Sequence, residues 1–140
     1  RETGDAAVDE LAGHRRVGVH QGVEITDEPS SPGPRVTQVF CSALPVAYGR
    51  WPQPLWQGFA QLILDAAYEA TLLAGVLNSR QGGSNIVLLT LLGGGAFGNA
   101  SEWIHTAIQR ALDKTQVHGL DVRMVSYGQP SAQLQALVEL

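Results

Sequence analysis

Seven almost wholly apolar residues, IVLLTLL (86–92), run straight into GGGAFGN (93–99), and an amphipathic pattern follows. So short an apolar run, held between Gly82–Gly83 and Gly93–Gly95, does not fill a helix. It reads as a central strand buried on both faces. The next helix begins near Ala100, with Trp103, Ile104, Ala107, Ile108, Ala111 and Leu112 as its apolar stripe. Asn99 and Glu102 have the spacing of a capping box. A buried strand that delivers a glycine-rich loop to a helix N-terminus restricts the chain to α/β architectures, where such loops gather at the carboxyl ends of strands.

The flanking sequence supplies the remaining elements. VGVHQGVEIT (17–26) alternates like a strand, and DEPSSPGP (27–34) is a loop with three prolines. RVTQVFCSAL (35–44) is β-branched and aromatic and reads as a buried strand. PVAYGRWPQP (45–54) cannot be regular structure, and residues 55–78 carry the 3.6-residue period of a helix packed on a sheet. HGLDVRMVSYG (118–128) is a turn and a strand, Val122 to Tyr127. SAQLQALVEL (131–140) is a short helix with Ser131 as N-cap. The order β, β, α, β, α, β, α predicts a mostly parallel sheet with helices on both faces. Residues 1–16 form a polar N-terminal segment, in which Ala7, Val8, Leu11 and Ala12 fit one or two helical turns. Residues 17–140 form the α/β domain.

Charge narrows the function. The formal net charge is −4 and no basic run occurs, which argues against direct nucleic-acid binding. An anionic ligand would have to be held by backbone N–H groups and helix ends rather than by lysines. Cys41 is the one cysteine, so an internal disulfide and a Cys-rich zinc site are excluded. A reducing compartment agrees with this, and a cytoplasmic location is the expectation. No stretch of eighteen apolar residues escapes a glycine or polar break, so no membrane span and no membrane partner are expected. A chain that opens on Arg1 reads as a fragment or a processed product.

Gly93, Gly94 and Gly95 place several N–H groups near a helix N-terminus with no side chain in the way, a combination that favours phosphate. Phe97 then stands as an apolar plate at the rim, suited to a sugar or a base. The plainer alternative is a tight turn with Phe97 tucked into the core. The loop is not a Walker P-loop, because no Lys-Ser/Thr pair follows it. It also matches the dinucleotide G-x-G-x-x-G poorly, coming late in the chain with no acidic residue at the expected distance.

IVLLTLLGGGAFGN, preceded by LILDAAYEATLLAGVLN and followed by VRMVSYG, resembles the C-terminal part of a macrodomain. The nearest branch is the poly(ADP-ribose) glycohydrolase-like one, including its microbial type. VTQVFCSALPVAYG is similar to that family's preceding strand. The resemblance runs from about residue 35 to 128, more loosely from 17. It implies a three-layer α/β/α sandwich that lacks its N-terminal portion. It also implies that Gly93, Gly94, Gly95, Ala96, Phe97, Gly98 and Asn99 wrap the diphosphate and adjacent ribose of ADP-ribose. Tyr127 would lie near the adenosine or ribose end, and Ser42, Ala43 and Tyr48 would border the ligand. The implied partners are ADP-ribose or an ADP-ribosylated protein, with no cofactor. The Asn-rich segment and acidic glycine cluster of the hydrolases are missing upstream of residue 93. Catalytic residues are therefore left unassigned, and a complementing N-terminal segment or second chain is expected to supply them. A non-catalytic ADP-ribose reader and a ligand-free interaction module are the alternatives.

Other residues carry weaker signals. His14, His20, His105 and His118 lack metal-ligand spacing. Ser42 and Cys41 lack the surroundings of a nucleophile, and Cys41 reads as a small buried hydrophobe. Asp65 and Glu69 share a helix face and read as a solvated stripe, and Glu24 as a surface residue. Trp51 and Trp56 pack over the helix start or shield a nucleotide.

Overall fold

A computed structural model describes residues 6–7, 10–11, 13–26 and 32–138. Val8, Ala12, most of the 27–34 loop and the last two residues of the terminal helix lie outside the described residues. The architecture is mixed α/β. β1 (Gly18–Glu24) pairs antiparallel with β2 (Arg35–Phe40). α1 (Gln57–Arg80) leads to β3 (Ile86–Leu89), and α2 (Ser101–Thr115) connects β3 to its parallel partner β4 (Asp121–Met124). α3 (Ala132–Val138) closes the chain, with the Ser131 hydroxyl capping the N–H of Leu134 at 3.2 Å, as the sequence predicts.

The described strands form two separate pairs, β1·β2 and β3·β4. The parallel pairing read from the β–α–β order is therefore present in β3–α2–β4 alone. The chain segment between β1 and β2 is too short to carry a crossover helix, which leaves antiparallel pairing as the available geometry. The β1·β2 ribbon is tied to α1 by side chains: the Thr37 hydroxyl donates to Asn78 Oδ1 at 2.8 Å, and Cys41 Sγ lies 3.9 Å from Thr71 Oγ1. Cys41 is half-buried beyond the end of β2.

α1 is helical because small and aliphatic residues recur at helical spacing, burying Ala60, Leu64, Ala67, Leu72 and Val76 on one side. Its start is set by the 3₁₀ turn Gln53–Trp56, two residues before the predicted 55–78 would place the first full turn. Its end is closed by the Gly82 and Gly83 N–H groups, which donate to Ser79 and Asn78 carbonyls. By length and composition, Gln53–Arg80 is one helical stretch apolar enough to cross a membrane. Its buried side nevertheless packs on α2 and on Val87 and Leu89 of β3. Leu64 and Leu72 of α1 and Ile104 and Ile108 of α2 are the largest fully buried side chains. Each contributes about 1.5–3 kcal/mol by leaving water.

Two readings from sequence are corrected here. β3 is covered on one face only: Val87 and Leu89 point into the core, whereas Ile86 is 43% and Leu88 64% exposed. Both long helices pack on the same side, so the outer face carries Ile86, Leu88 and the register partners Asp121 and Arg123. Those last two form an exposed ion pair at 2.6 Å, and the hydrogen bond from Arg123 holds the Asp121 carboxyl below its usual range. The second correction concerns Asp65, which is buried rather than solvated. It accepts a 2.7 Å hydrogen bond from Gln61 Nε2 and faces Arg110 of α2 at 4.0 Å. One turn along, Glu69 pairs with Lys114 at 2.6 Å. The face that periodicity assigns to solvent is the α1–α2 seam, where charge partners offset the desolvation of Asp65.

Candidate functional site

The glycine loop is built by Tyr68. Burial pushes its hydroxyl pKa up to about 12, so the group stays protonated and serves as both donor and acceptor. It donates to the Thr90 carbonyl at 2.8 Å and accepts from the Leu92 N–H at 2.8 Å. Those two bonds take the backbone out of the strand ladder after Leu89, so the strand predicted over 86–92 is four residues long. The chain is thereby turned into residues 93–99. Since the folded pKa lies above the ordinary value of about 10, the unfolded chain ionises first. Stability contributed by Tyr68 is therefore complete below about pH 10 and falls as pH rises toward about 12. Urea midpoints across that window are expected to fall less steeply in Tyr68→Phe than in the native chain.

Within the loop, Gly93 adopts φ +78° and Gly98 φ +68°, conformations that side-chain-bearing residues rarely take. The space is closed as well. A Cβ on Gly93 would stand 2.4 Å from Ala43 Cβ, and one on Gly98 would stand 2.8 Å from Ala47 Cβ. The close approach joins two segments distant in sequence, residues 43–53 and 93–99. Asn99 Nδ2 donates to Leu44 O at 2.8 Å and to Gly93 O at 3.2 Å. The Ala47 N–H donates to Phe97 O at 2.9 Å, and Gln53 Nε2 to Gly98 O at 2.8 Å.

This geometry replaces the capping box. The N-cap of α2 is Ala100, in an extended conformation and with no side-chain cap bond. Asn99, only 5% exposed, turns inward because the two loop carbonyls it serves would otherwise be costly to bury. Among the described residues its Oδ1 meets no donor. Among the described residues the N–H groups of Gly93, Gly95, Ala96 and Phe97 likewise meet no acceptor, whereas those of Gly94, Gly98 and Asn99 donate to the carbonyls of Leu91, Gly95 and Gly93. Unengaged donors, those of Gly95, Ala96 and Phe97 consecutive, thus precede the N-terminus of a fifteen-residue helix.

The residues singled out from sequence divide into two groups. Ala43 is buried against Gly93, and Tyr48 meets the Phe97 ring edge-on with centroids 6.2 Å apart. Phe97 is half-buried against the core cluster, which combines the rim and core readings. Ser42 lies beside them, its hydroxyl donating to Ala43 O at 3.0 Å and its carbonyl accepting from Arg15. Tyr127 stands apart, its ring fully exposed beyond the carboxyl end of β4. It lies at the same edge of the parallel pair as the glycine loop. Sequence reasoning missed Tyr68, Gln53 and Ala47. A hydroxyl inside an otherwise apolar helix stripe was the available signal for Tyr68, since a buried phenol needs a partner. Glu24 sits on the exposed β1 edge and accepts from the Gly33 N–H at 3.0 Å. Among the described residues, no group of three or more His, Cys, Asp or Glu is placed to hold a metal ion.

The class of molecule defined by these observations is an α/β protein with a glycine-rich strand-to-helix loop. No protein-family model, no curated protein and no solved structure matches the chain.

Proposed function

We propose that the chain binds ADP-ribose, free or attached to protein, as the C-terminal part of a macrodomain-like α/β/α sandwich of the poly(ADP-ribose) glycohydrolase-like kind. The observation that carries this is the set of unengaged Gly95, Ala96 and Phe97 N–H groups ahead of α2. Donors so placed, at the positive end of a helix dipole, suit a diphosphate without help from lysine. The half-open β3·β4 sheet supports a complementing segment or second chain, because parallel strands are ordinarily covered on both faces. Whether the assembled protein hydrolyses the glycosidic bond depends on a carboxylate from that segment, acting as general acid or base. No residue of this chain is given that role.

Calorimetry with ADP-ribose tests the reading. Gly95→Glu is the informative variant, since a Cβ at Gly95 meets nothing within 4 Å and the fold is preserved. The added carboxylate beside the diphosphate is expected to weaken binding by about tenfold or more. Binding without turnover of ADP-ribosylated protein points to a reader, and equal affinity in both proteins refutes the loop assignment.

A further inference from the structure

Gln61 makes two hydrogen bonds that the apolar packing of α1 on α2 does not require. Its Nε2 donates to Asp65 Oδ1 on the same helix at 2.7 Å and to the Trp103 carbonyl of α2 at 3.1 Å. Asp65 is 9% exposed, and its other carboxylate oxygen lies 4.0 Å from Arg110 Nε. Both protons of the Gln61 amide are therefore committed, one of them to a charged acceptor. Leu64, Leu72, Ile104 and Ile108 already join the two helices by burial alone. Such burial is non-directional, whereas a buried polar group can specify a single register.

The place of that bond on α2 gives it reach. Trp103 lies in the first turn, three residues beyond the N-cap Ala100. The next residue, Ile104, puts its Cδ1 3.2 Å from where a Gly94 Cβ would stand. The N–H groups of Gly95, Ala96 and Phe97 make no bond of their own, so their aim is set by what holds the two ends of the loop. Tyr68, Asn99 and Gln53 hold it from the strand side. On the helix side, Gln61 ties the first turn of α2 to α1. The Glu69–Lys114 pair joins the same helices about 12 Å further along α1.

We propose that Gln61, oriented by Asp65, is a positioning residue for the anion site. It fixes the axial register of α2 and so aims the Gly95–Phe97 donors at the diphosphate. This inference rests on the ADP-ribose reading above. The two side chains act through the Trp103 carbonyl rather than on the ligand. Hydrogen bonds weaken steeply as donors leave their line, so a small slip of α2 suffices to lose affinity.

The test measures ADP-ribose affinity by calorimetry, well below the melting midpoint of each protein. Gln61→Met and Gln61→Leu keep the volume and remove the tie, and each is expected to weaken binding by about tenfold. Asp65→Asn still offers Gln61 an acceptor and should bind within about twofold of the native chain. Glu69→Gln breaks the distant pair and should leave affinity unchanged. Amide spectra without ligand give a second readout. The Gly95, Ala96 and Phe97 resonances should shift in Gln61→Met and stay in place in Glu69→Gln. If the Gln61 variants bind like the native chain while Gly95→Glu binds weakly, the positioning role is wrong and the diphosphate loop stands. Equal weakening in Glu69→Gln and Gln61→Met would mean general loosening of the seam, which also overturns the proposal. If the native chain does not bind ADP-ribose, both proposals fall.

Discussion

Gly93→Ala is expected to destabilise the chain by about 3 kcal/mol and, on the function proposed above, to abolish ADP-ribose binding. A left-handed backbone costs an L-residue about 1–2 kcal/mol, and Gly93 sits at φ +78°. Overpacking of a tight interior adds about 1–3 kcal/mol. The new methyl would stand 2.4 Å from Ala43 Cβ and 2.6 Å from Asn99 Nδ2, where neighbours cannot retreat without breaking the Asn99 bonds to Leu44 O and Gly93 O. Gly95→Ala is the matched control. Its backbone φ is not positive and its Cβ meets nothing, so stability should change by about 0.5 kcal/mol or less. Urea unfolding of the two variants side by side checks the prediction, and equal midpoints would refute the bracing of residues 43–47 against the loop.

Ile104→Ala should cost about 2–5 kcal/mol, the range for truncating a fully buried aliphatic residue. Ile104 is 1% exposed and belongs to the cluster that joins α1, α2 and β3. Its Cδ1 also lies 3.2 Å from where a Gly94 Cβ would stand, so it forms the floor of the loop. The cavity would therefore loosen the donors as well as the core. Thermal or urea unfolding gives the stability loss, and Ile104→Val, at about 0.5–1.5 kcal/mol, separates lost volume from lost shape. A loss below about 1 kcal/mol for Ile104→Ala would mean that the loop floor collapses freely.

The elements legible in the sequence are those whose signal is local. The α2 stripe reads correctly because Trp103, Ile104, Ala107, Ile108 and Ala111 recur at helical spacing and all five are buried. The glycine loop reads correctly as a strand-to-helix connection because no regular structure tolerates GGGAFGN. Two of its glycines take the positive φ that only this composition permits cheaply. The Ser131 cap is equally local.

What failed was everything decided by a distant partner. Asn99 has capping-box spacing, yet its amide serves Leu44, fifty-five residues earlier. Asp65 and Glu69 look solvated by helical spacing, yet α2 brings Arg110 and Lys114 against them. β3 looks buried on both faces because all four residues are apolar, but composition says nothing of which side the helices take. The length of that strand was out of reach for the same reason, since Tyr68 ends it from another element.

By itself the sequence determined the succession of strands and helices, the apolar stripes and the position of the glycine loop. Each follows from spacing and backbone sterics within about ten residues. Only the tertiary structure decided that residues 43–53 brace that loop, that Trp51, Leu55 and Trp56 gather beside it, and that the outer face of β3 stays open. These depend on long-range contacts whose partners are selected by packing and by the cost of leaving buried polar groups unpaired, neither of which is written in any one segment.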